Sequence, residues 1–522
     1  MPVKLNLSTN IWTLVAMFGL LWVIRAFFHV RRPGRPGPPG LPIIGNLHQM
    51  TSRPHLLFSE WAKKYGDVFY LRMGSVDWMI LSSAEAIHET MVKRATLFSD
   101  RPYQELSIGI LSEGGQGIVT ANYGEKWRER RKRCNLFMSK TAVRGYTGFL
   151  TYEARALCKT LLKEGQEHGT RGAPIRAISI WHSINTIMSL IYGTRYASYT
   201  DERVVDFGEK THLSFKAASP AYHPADLLPW LWPFFEKRRR QVQKSHDEWY
   251  YFQVEALKRY RANRERIDAG IPTTMVRCIV DAMDAKEIPD DKAHVLLGEM
   301  VPAGIHTISL SLTWFTHVLT TRLDVQDKVH KEMDRVIGKD RLPTLEDASN
   351  LPYFLCVLQE SLRLYSPSQF IMPHMVREDT EYRGVPVKRG TWVFINLNAV
   401  HKAFSKEEDA HEFRPERWEA NPKTLSEEIL GKQGERRSWS FGGGRRVCAG
   451  IYYAEAVLTL SALHLLWAFR LQEGDGVKID LEELEDGILN PPPPYRIQYI
   501  PRGPHVQDLL MQDDLSTPVD TI

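Results

Sequence analysis

The stretch Phe441 to Gly450, Phe-Gly-Gly-Gly-Arg-Arg-Val-Cys-Ala-Gly, constrains this chain more than any other. Three successive glycines let the main chain approach another body closely, because glycine has no Cβ and reaches unusual backbone angles without strain. A basic pair and one cysteine follow. Beyond Ile451 the positions Ala454, Val457, Leu458 and Leu465 recur at helical spacing, so Cys448 is expected at a helix N-terminus, close to Arg445 and Arg446. The positive end of a helix and nearby guanidiniums both favour a thiolate over a thiol. A thiolate with main-chain N–H groups around it suits a soft metal ligand. The plainer alternative is a structural cysteine buried in a glycine loop.

The five cysteines, Cys134, Cys158, Cys278, Cys356 and Cys448, are scattered and odd in number, with no Cys-x-x-Cys. That argues against a disulfide framework or a zinc site and for a reducing compartment. A net charge of +5 over 522 residues is too slight to imply nucleic acid as a partner. No internal repeat or linker divides the body, so one large domain is expected, able to bury a sizeable cofactor.

Ile11 to Ile24 carries no charge, and with Arg25 snorkelling to the interface the apolar stretch reaches Val30, twenty residues in all. Twenty residues match a bilayer. Lys4 precedes the stretch while Arg25, Arg31, Arg32 and Arg35 follow it, which places the body on the cytoplasmic side. A cleaved secretory signal is the alternative reading, against which stands the lack of a small-residue cleavage site. Residues 1–30 therefore read as a membrane anchor and 31–47, rich in proline and glycine, as a stiff hinge. Residues 48–504 read as the body and the polar, acidic 505–522 as a loose tail.

Within the body, Val68 to Met73 and Trp78 to Ser82 alternate as strands, and so do Thr380 to Lys388 and Thr391 to Leu397, with Gly384 and Gly390 as turns. Most of the rest reads as helix. Trp127 and Arg131 are four apart in the densest basic run and share a helix face. Asp290 to Thr321 reads as one long apolar helix interrupted at Pro302-Ala303-Gly304-Ile305-His306-Thr307, where a proline and a glycine predict a kink or opened groove. Leu351 to Leu364 is a helix opened by Pro352, with Glu360 and Arg363 on one face. Read alone, each of these patterns has an ordinary structural explanation: a solvated basic face, a core histidine, a surface ion pair.

Together and in this order they resemble the cytochrome P-450 family, microsomal type, most similar to its fungal members. Phe441, Gly444, Arg446, Cys448 and Gly450 fill every fixed position of that family's haem-binding loop, Phe-x-x-Gly-x-Arg-x-Cys-x-Gly. Ala303, Gly304 and Thr307 match its oxygen-binding segment, Glu360 and Arg363 its Glu-x-x-Arg helix, and Arg417 the arginine of its Pro-Glu-Arg segment. The resemblance implies a mainly α fold with small β-sheets after a single N-terminal transmembrane helix. It implies haem b with Cys448 as axial thiolate, and Trp127, Arg131 and His374 as propionate ligands; for His374 a plain strand-edge role is the alternative. Glu360, Arg363 and Arg417 would form a lock behind the cysteine loop. One departure stands out: His306 occupies the position before Thr307 that is commonly acidic. It either passes protons with Thr307 or points away as a core histidine.

The implied activity is insertion of one oxygen atom of O2 into a hydrophobic or aromatic small molecule: a specialised metabolite, a fatty acid or a foreign compound. Electrons would come from NADPH through a separate cytochrome P-450 reductase, with cytochrome b5 as a second candidate partner. Arg128, Lys132, Arg133 and Arg445 are the candidate basic docking face. The implied location is the endoplasmic reticulum membrane, with the catalytic domain in the cytosol. A reductase-independent rearrangement or dehydration at the same haem is the rival reading, invited by His306.

Overall fold

A computed structural model describes residues 14–21, 34–219, 224–270, 274–287, 293–403, 409–431, 436–485, 489, 491–512 and 520–521. Helices dominate. A four-stranded sheet is built from β1 (Val68–Met73), β2 (Val76–Leu81), β3 (His374–Met375) and β4 (Trp392–Ile395), in the order β1-β2-β4-β3. β1 and β2 form an antiparallel hairpin, with Val68 opposite Leu81. β2 runs parallel to β4 and β4 antiparallel to β3, placing His374 opposite Val393. The hairpin Thr380–Tyr382 with Val385–Val387 turns at Gly384, where φ is +77°.

Eight helices position the site. In chain order they are α1 (Glu125–Met138), α2 (Thr147–His168), α3 (Ile175–Tyr192), α4 (Glu202–Ala217), α5 (Glu236–Ala262), α6 (Ala293–Thr321), α7 (Pro352–Leu364) and α8 (Ile451–Ala468). α6 and α8 are apolar on nearly every face because both are buried on nearly every face, flanked by α3, α7 and α2. Both are long and apolar enough to cross a bilayer, yet 67% and 83% of their apolar windows are buried in the body, which marks them as core helices. α7 starts at Pro352, and Glu332 accepts from the otherwise unbonded N–H groups of Tyr353 and Phe354, both at 2.9 Å.

Three sequence expectations are corrected. α6 runs unbroken through Pro302, since a proline inside a buried helix forfeits one N–H donor while its neighbours keep theirs. The described part of the hinge, from Gly34 onward, is seated on the body: Tyr70 donates to the Pro36 carbonyl at 2.8 Å and Arg35 pairs with Asp77 at 3.2 Å. Pro504–Met511, expected in a loose tail, is a helix that buries Val506 and Leu510, four residues apart and so on one face. Arg155 of α2 donates to the Leu510 carbonyl at 2.9 Å. All five cysteines are free.

Of the expected anchor, only residues 14–21 are described; they are helical, and Phe18 is 68% exposed. The flanking parts of that stretch lie outside the described residues.

Candidate active site

The cysteine loop is held by its own backbone. Cys448 N–H donates to the Phe441 carbonyl at 2.9 Å and Gly442 N–H to that of Trp439 at 2.9 Å. Gly444, at φ +62°, presses so close to the Met91 carbonyl that a Cβ would collide with it. Phe441 packs against the main core. α8 begins at Ile451, so Cys448 lies just before a helix N-terminus, as its sequence suggests.

The basic pair does not act on the sulfur. Arg446 donates to the carbonyls of Ser99 (2.8 Å), Ile118 (3.1 Å) and Ala121, and Arg445 lies over the Tyr123 ring. Burial pushes the Cys448 thiol above its ordinary value, while the Gly450 N–H and the Arg131 charge pull it down. The expectation that Arg445 and Arg446 make the thiolate is therefore corrected; a ligated metal would have to displace the proton.

Three guanidiniums converge beside this loop. Arg131 donates to the carbonyls of Val447 (2.8 Å) and Cys448 (3.3 Å). Arg101, which sequence reading passed over as a site residue, donates to Val119 (2.8 Å), Met372 (2.8 Å) and Pro373 (2.7 Å). Burial, then the charge of Arg446, holds the Arg101 pKa well below the usual arginine range; burial first holds Arg446 at about 10. Among the described residues none of these three arginines pairs with a carboxylate within salt-bridge distance. A flat group bearing two carboxylates would relieve that concentration of positive charge, and Cys448 would offer a soft ligand to its metal. The residues present fit haem.

Trp127 donates its indole N–H to the Ile118 carbonyl at 3.0 Å and carries Arg446 on its face at 4.6 Å. His374 donates Nδ1–H to Phe98 at 2.6 Å and is held neutral by burial and then by the charge of Arg101. Both lie on the rim where Arg101 and Arg446 meet.

α6 contributes Ala303 to the wall of a cavity of about 150 Å³. Glu299, one turn earlier, accepts from Val119 N–H at 2.8 Å, from Ser112 at 2.6 Å and from Thr120, fastening the 112–120 loop over the cavity. Gly117 leaves room for this carboxylate, since any Cβ there would overlap it. Thr307 donates its hydroxyl proton to the Ala303 carbonyl at 2.7 Å. Gly304 faces the other way: a Cβ there would come within 2.8 Å of Ile187 on α3, so this glycine serves helix packing. His306 also faces away, with Nε2 2.9 Å from the Thr211 hydroxyl and Phe215 edge-on at 5.5 Å; burial lowers its pKa to about 3. The structure thus separates His306 from Thr307, for consecutive helical residues point about 100° apart.

Glu360, Arg363 and Arg417 do come together. Arg363 grips both Glu360 oxygens at 2.8 Å, Arg417 donates to one at 2.7 Å, and Trp418 to the other at 2.9 Å. Arg363 also donates to the His401 carbonyl at 2.7 Å, and His401 Nε2 accepts from Trp439 N–H at 2.9 Å. Ser440 adds a bond to the Leu362 carbonyl at 2.9 Å. The buried ion cluster is thereby wired to the segment that leads into the cysteine loop.

A cysteine-centred haem cradle under a buried apolar helix defines a haem-thiolate protein. The description Cytochrome P450 matches residues 35–499, nearly the whole chain, and the chain belongs to that family. It is 29% identical over 509 residues to cytochrome P450 monooxygenase virE of Hypocrea virens, covering 93% of this chain and 90% of the relative. It is 28% identical over 520 residues to a cytochrome P450 monooxygenase of Armillaria gallica, covering 96% of each. Among solved structures, a zebra fish cytochrome P450 with progesterone superposes with a TM-score of 0.71 at 23% identity, over 86% of this chain and 99% of that one, a likeness of fold alone.

Proposed function

We propose that this protein is a haem-thiolate monooxygenase that hydroxylates a small, largely apolar molecule, as its fungal relatives' designation as monooxygenases also suggests. The observation that carries it is Cys448 placed before α8, with the guanidiniums of Arg101, Arg131 and Arg446 hydrogen-bonded to main-chain carbonyls beside it. Cys448 would ligate the haem iron, and Arg101, Arg131, Arg446, Trp127 and His374 would hold the propionates. When bound, haem supplies the activation of O2, with one oxygen atom entering a C–H bond and the other leaving as water.

The chain's own residues bind, orient and manage protons. Ala303 keeps the cavity wall low. Thr307 Oγ1 can exchange its bond to Ala303 for one toward the reaction centre and so pass a proton there. His306, neutral and bonded to Thr211, takes no part in that transfer. The cavity combines Leu111, Phe215, Trp249 and Val295 with the hydroxyls of Ser107 and Ser214, which suits an aromatic molecule carrying oxygen substituents. Electrons come from NADPH through a separate flavoprotein reductase, with cytochrome b5 as an auxiliary donor. Membrane attachment at the endoplasmic reticulum is supported by the exposed apolar residues of the 14–21 helix, and by Trp230 and Phe234, 61% and 78% exposed. Leu41 and Ile43 are also exposed, and lie near that turn because Gly74 and Ser75 bond to Ile44 and Leu227.

Product analysis with reductase, NADPH and a panel of oxygenated aromatic compounds tests this reading. Products with one added oxygen atom, formed only with NADPH, are expected. Products formed without NADPH or reductase from an already oxygenated substrate would establish rearrangement or dehydration instead.

A further inference from the structure

A second group of metal-binding side chains sits at the edge of the distal cavity, apart from the cysteine loop. Glu113, in the loop after the helical turn Glu105–Leu111, places its Oε1 2.6 Å from His294 Nε2 and 3.6 Å from His246 Nε2, and the three ligand atoms lie within 4.8 Å of one another. His246 belongs to α5 and His294 to α6, and both line the cavity.

We propose that Glu113, His246 and His294 bind a divalent transition-metal ion, with Zn²⁺ as the best match, and that the ion ties the cavity's covering loop to two helices. The donor set is two imidazoles and one carboxylate, which is borderline in softness and suits zinc. Zinc bonds of about 2.0–2.1 Å put tetrahedral ligands roughly 3.3 Å apart. The 2.6 and 3.6 Å separations bracket that value and the two imidazole nitrogens lie within 4.8 Å of each other, so the ion would be seated by shifts of up to about 1.5 Å.

The surroundings are those of a metal ligand set. His246 Nδ1 lies 3.3 Å from the Asp247 carboxylate, a partner to which Nδ1–H can donate when Nε2, turned to Glu113, takes a metal. Tyr250 holds the His294 ring edge-on at 4.6 Å. Glu113 is one of four non-glycine residues with positive φ among the described residues, at +45°. A strained backbone that aims a carboxylate at two histidines is held there for a purpose. Three protein ligands leave a fourth position for water or another oxygen ligand. Because Ser112 next to Glu113 bonds to Glu299, fixing Glu113 also stiffens the wall over Ala303.

The test uses full-length, haem-loaded protein without an affinity tag. After chelator treatment it is dialysed against buffered Zn²⁺, followed by zinc and haem analysis of the protein and thermal melting with and without zinc. One zinc per chain and a raised melting temperature are expected for the natural sequence. Glu113→Gln and His246→Ala should each weaken zinc affinity by more than about tenfold, the scale seen when even supporting residues of a metal site are lost. His246 is partly exposed, so its variant is the one expected to fold without difficulty, and an unchanged haem spectrum checks this. No zinc bound by the natural sequence, or equal binding by it and His246→Ala, would overturn the proposal. These readouts do not depend on turnover, so they stand or fall separately from the monooxygenase reading.

Discussion

Cys448, just before α8, and Thr307, on α6, are the two residues whose proposed roles single substitutions test most directly. Cys448→Ser should abolish the carbon monoxide difference spectrum of a thiolate-ligated haem; a retained spectrum would reassign the axial ligand. Thr307→Ala removes a hydroxyl bonded to the Ala303 carbonyl, and should lower product formation by on the order of tenfold or more while NADPH oxidation continues. Thr307→Ser should restore most of the coupling, and an alanine variant as well coupled as the parent would exclude the hydroxyl from proton transfer. Single residues also mark how far a sequence can be read. Cys448 was legible because five positions of its loop are spaced invariantly within one continuous stretch. Arg101 was not, because its partners Met372 and Pro373 are far off in the chain and only folding brings those carbonyls to it.

At the scale of elements, α7 and the Pro415–Trp418 turn act as one unit with the cysteine loop through Glu360. Glu360→Gln would take the carboxylate from between Arg363 and Arg417, with Arg417 keeping its pair to Asp409 at 3.2 Å. A loss of about 3–5 kcal/mol in denaturant unfolding is expected, with weaker haem retention. A change below about 1 kcal/mol would mean that the cluster contributes little to holding the loop. The two arginines and their spacing were readable from the Glu-x-x-Arg and Pro-Glu-Arg patterns. The link onward through His401 to Trp439 was not, since nothing local in sequence distinguishes a histidine whose ring accepts from a main-chain N–H across the fold. α6 taught the reverse lesson. Its proline and glycine predicted a kink or opened groove; the helix is continuous through them, and Gly304 serves the approach of α3.

The whole molecule carries several histidines that burial keeps neutral, including His182, His306 and His401, each lowered to about 3 from an ordinary 6.5. In each case the unfolded chain takes up a proton at a higher pH than the folded one. Their contribution to stability is therefore complete above about 6.5 and declines as pH falls toward 3. Glu360, whose folded pKa lies below its ordinary 4.5, adds a loss in the same direction at lower pH. Melting temperature should fall steadily below pH 6.5, and a flat profile from pH 7 to about 5 would contradict this assignment. On the proximal side, Arg128 and Arg445 share the Tyr123 ring and Lys132 is exposed, whereas Arg133 is paired with Glu287 at 2.8 Å. Lys132→Glu with Arg445→Glu should raise the apparent KM for reductase several-fold, most strongly at low salt, with kcat at saturating reductase preserved. An unchanged KM would place the electron donor elsewhere. By itself the sequence singled out Cys448, the helical character of the body and the residues of the Glu360 lock, because those rest on short spacings and local periodicity. Tertiary structure alone decided that His306 turns to Thr211, that Arg101 joins the guanidinium cluster, that the C-terminal segment docks as a helix, and that Glu113 meets two histidines from separate helices. Each of these depends on which face of an element is buried against which distant neighbour, and that is fixed only by packing.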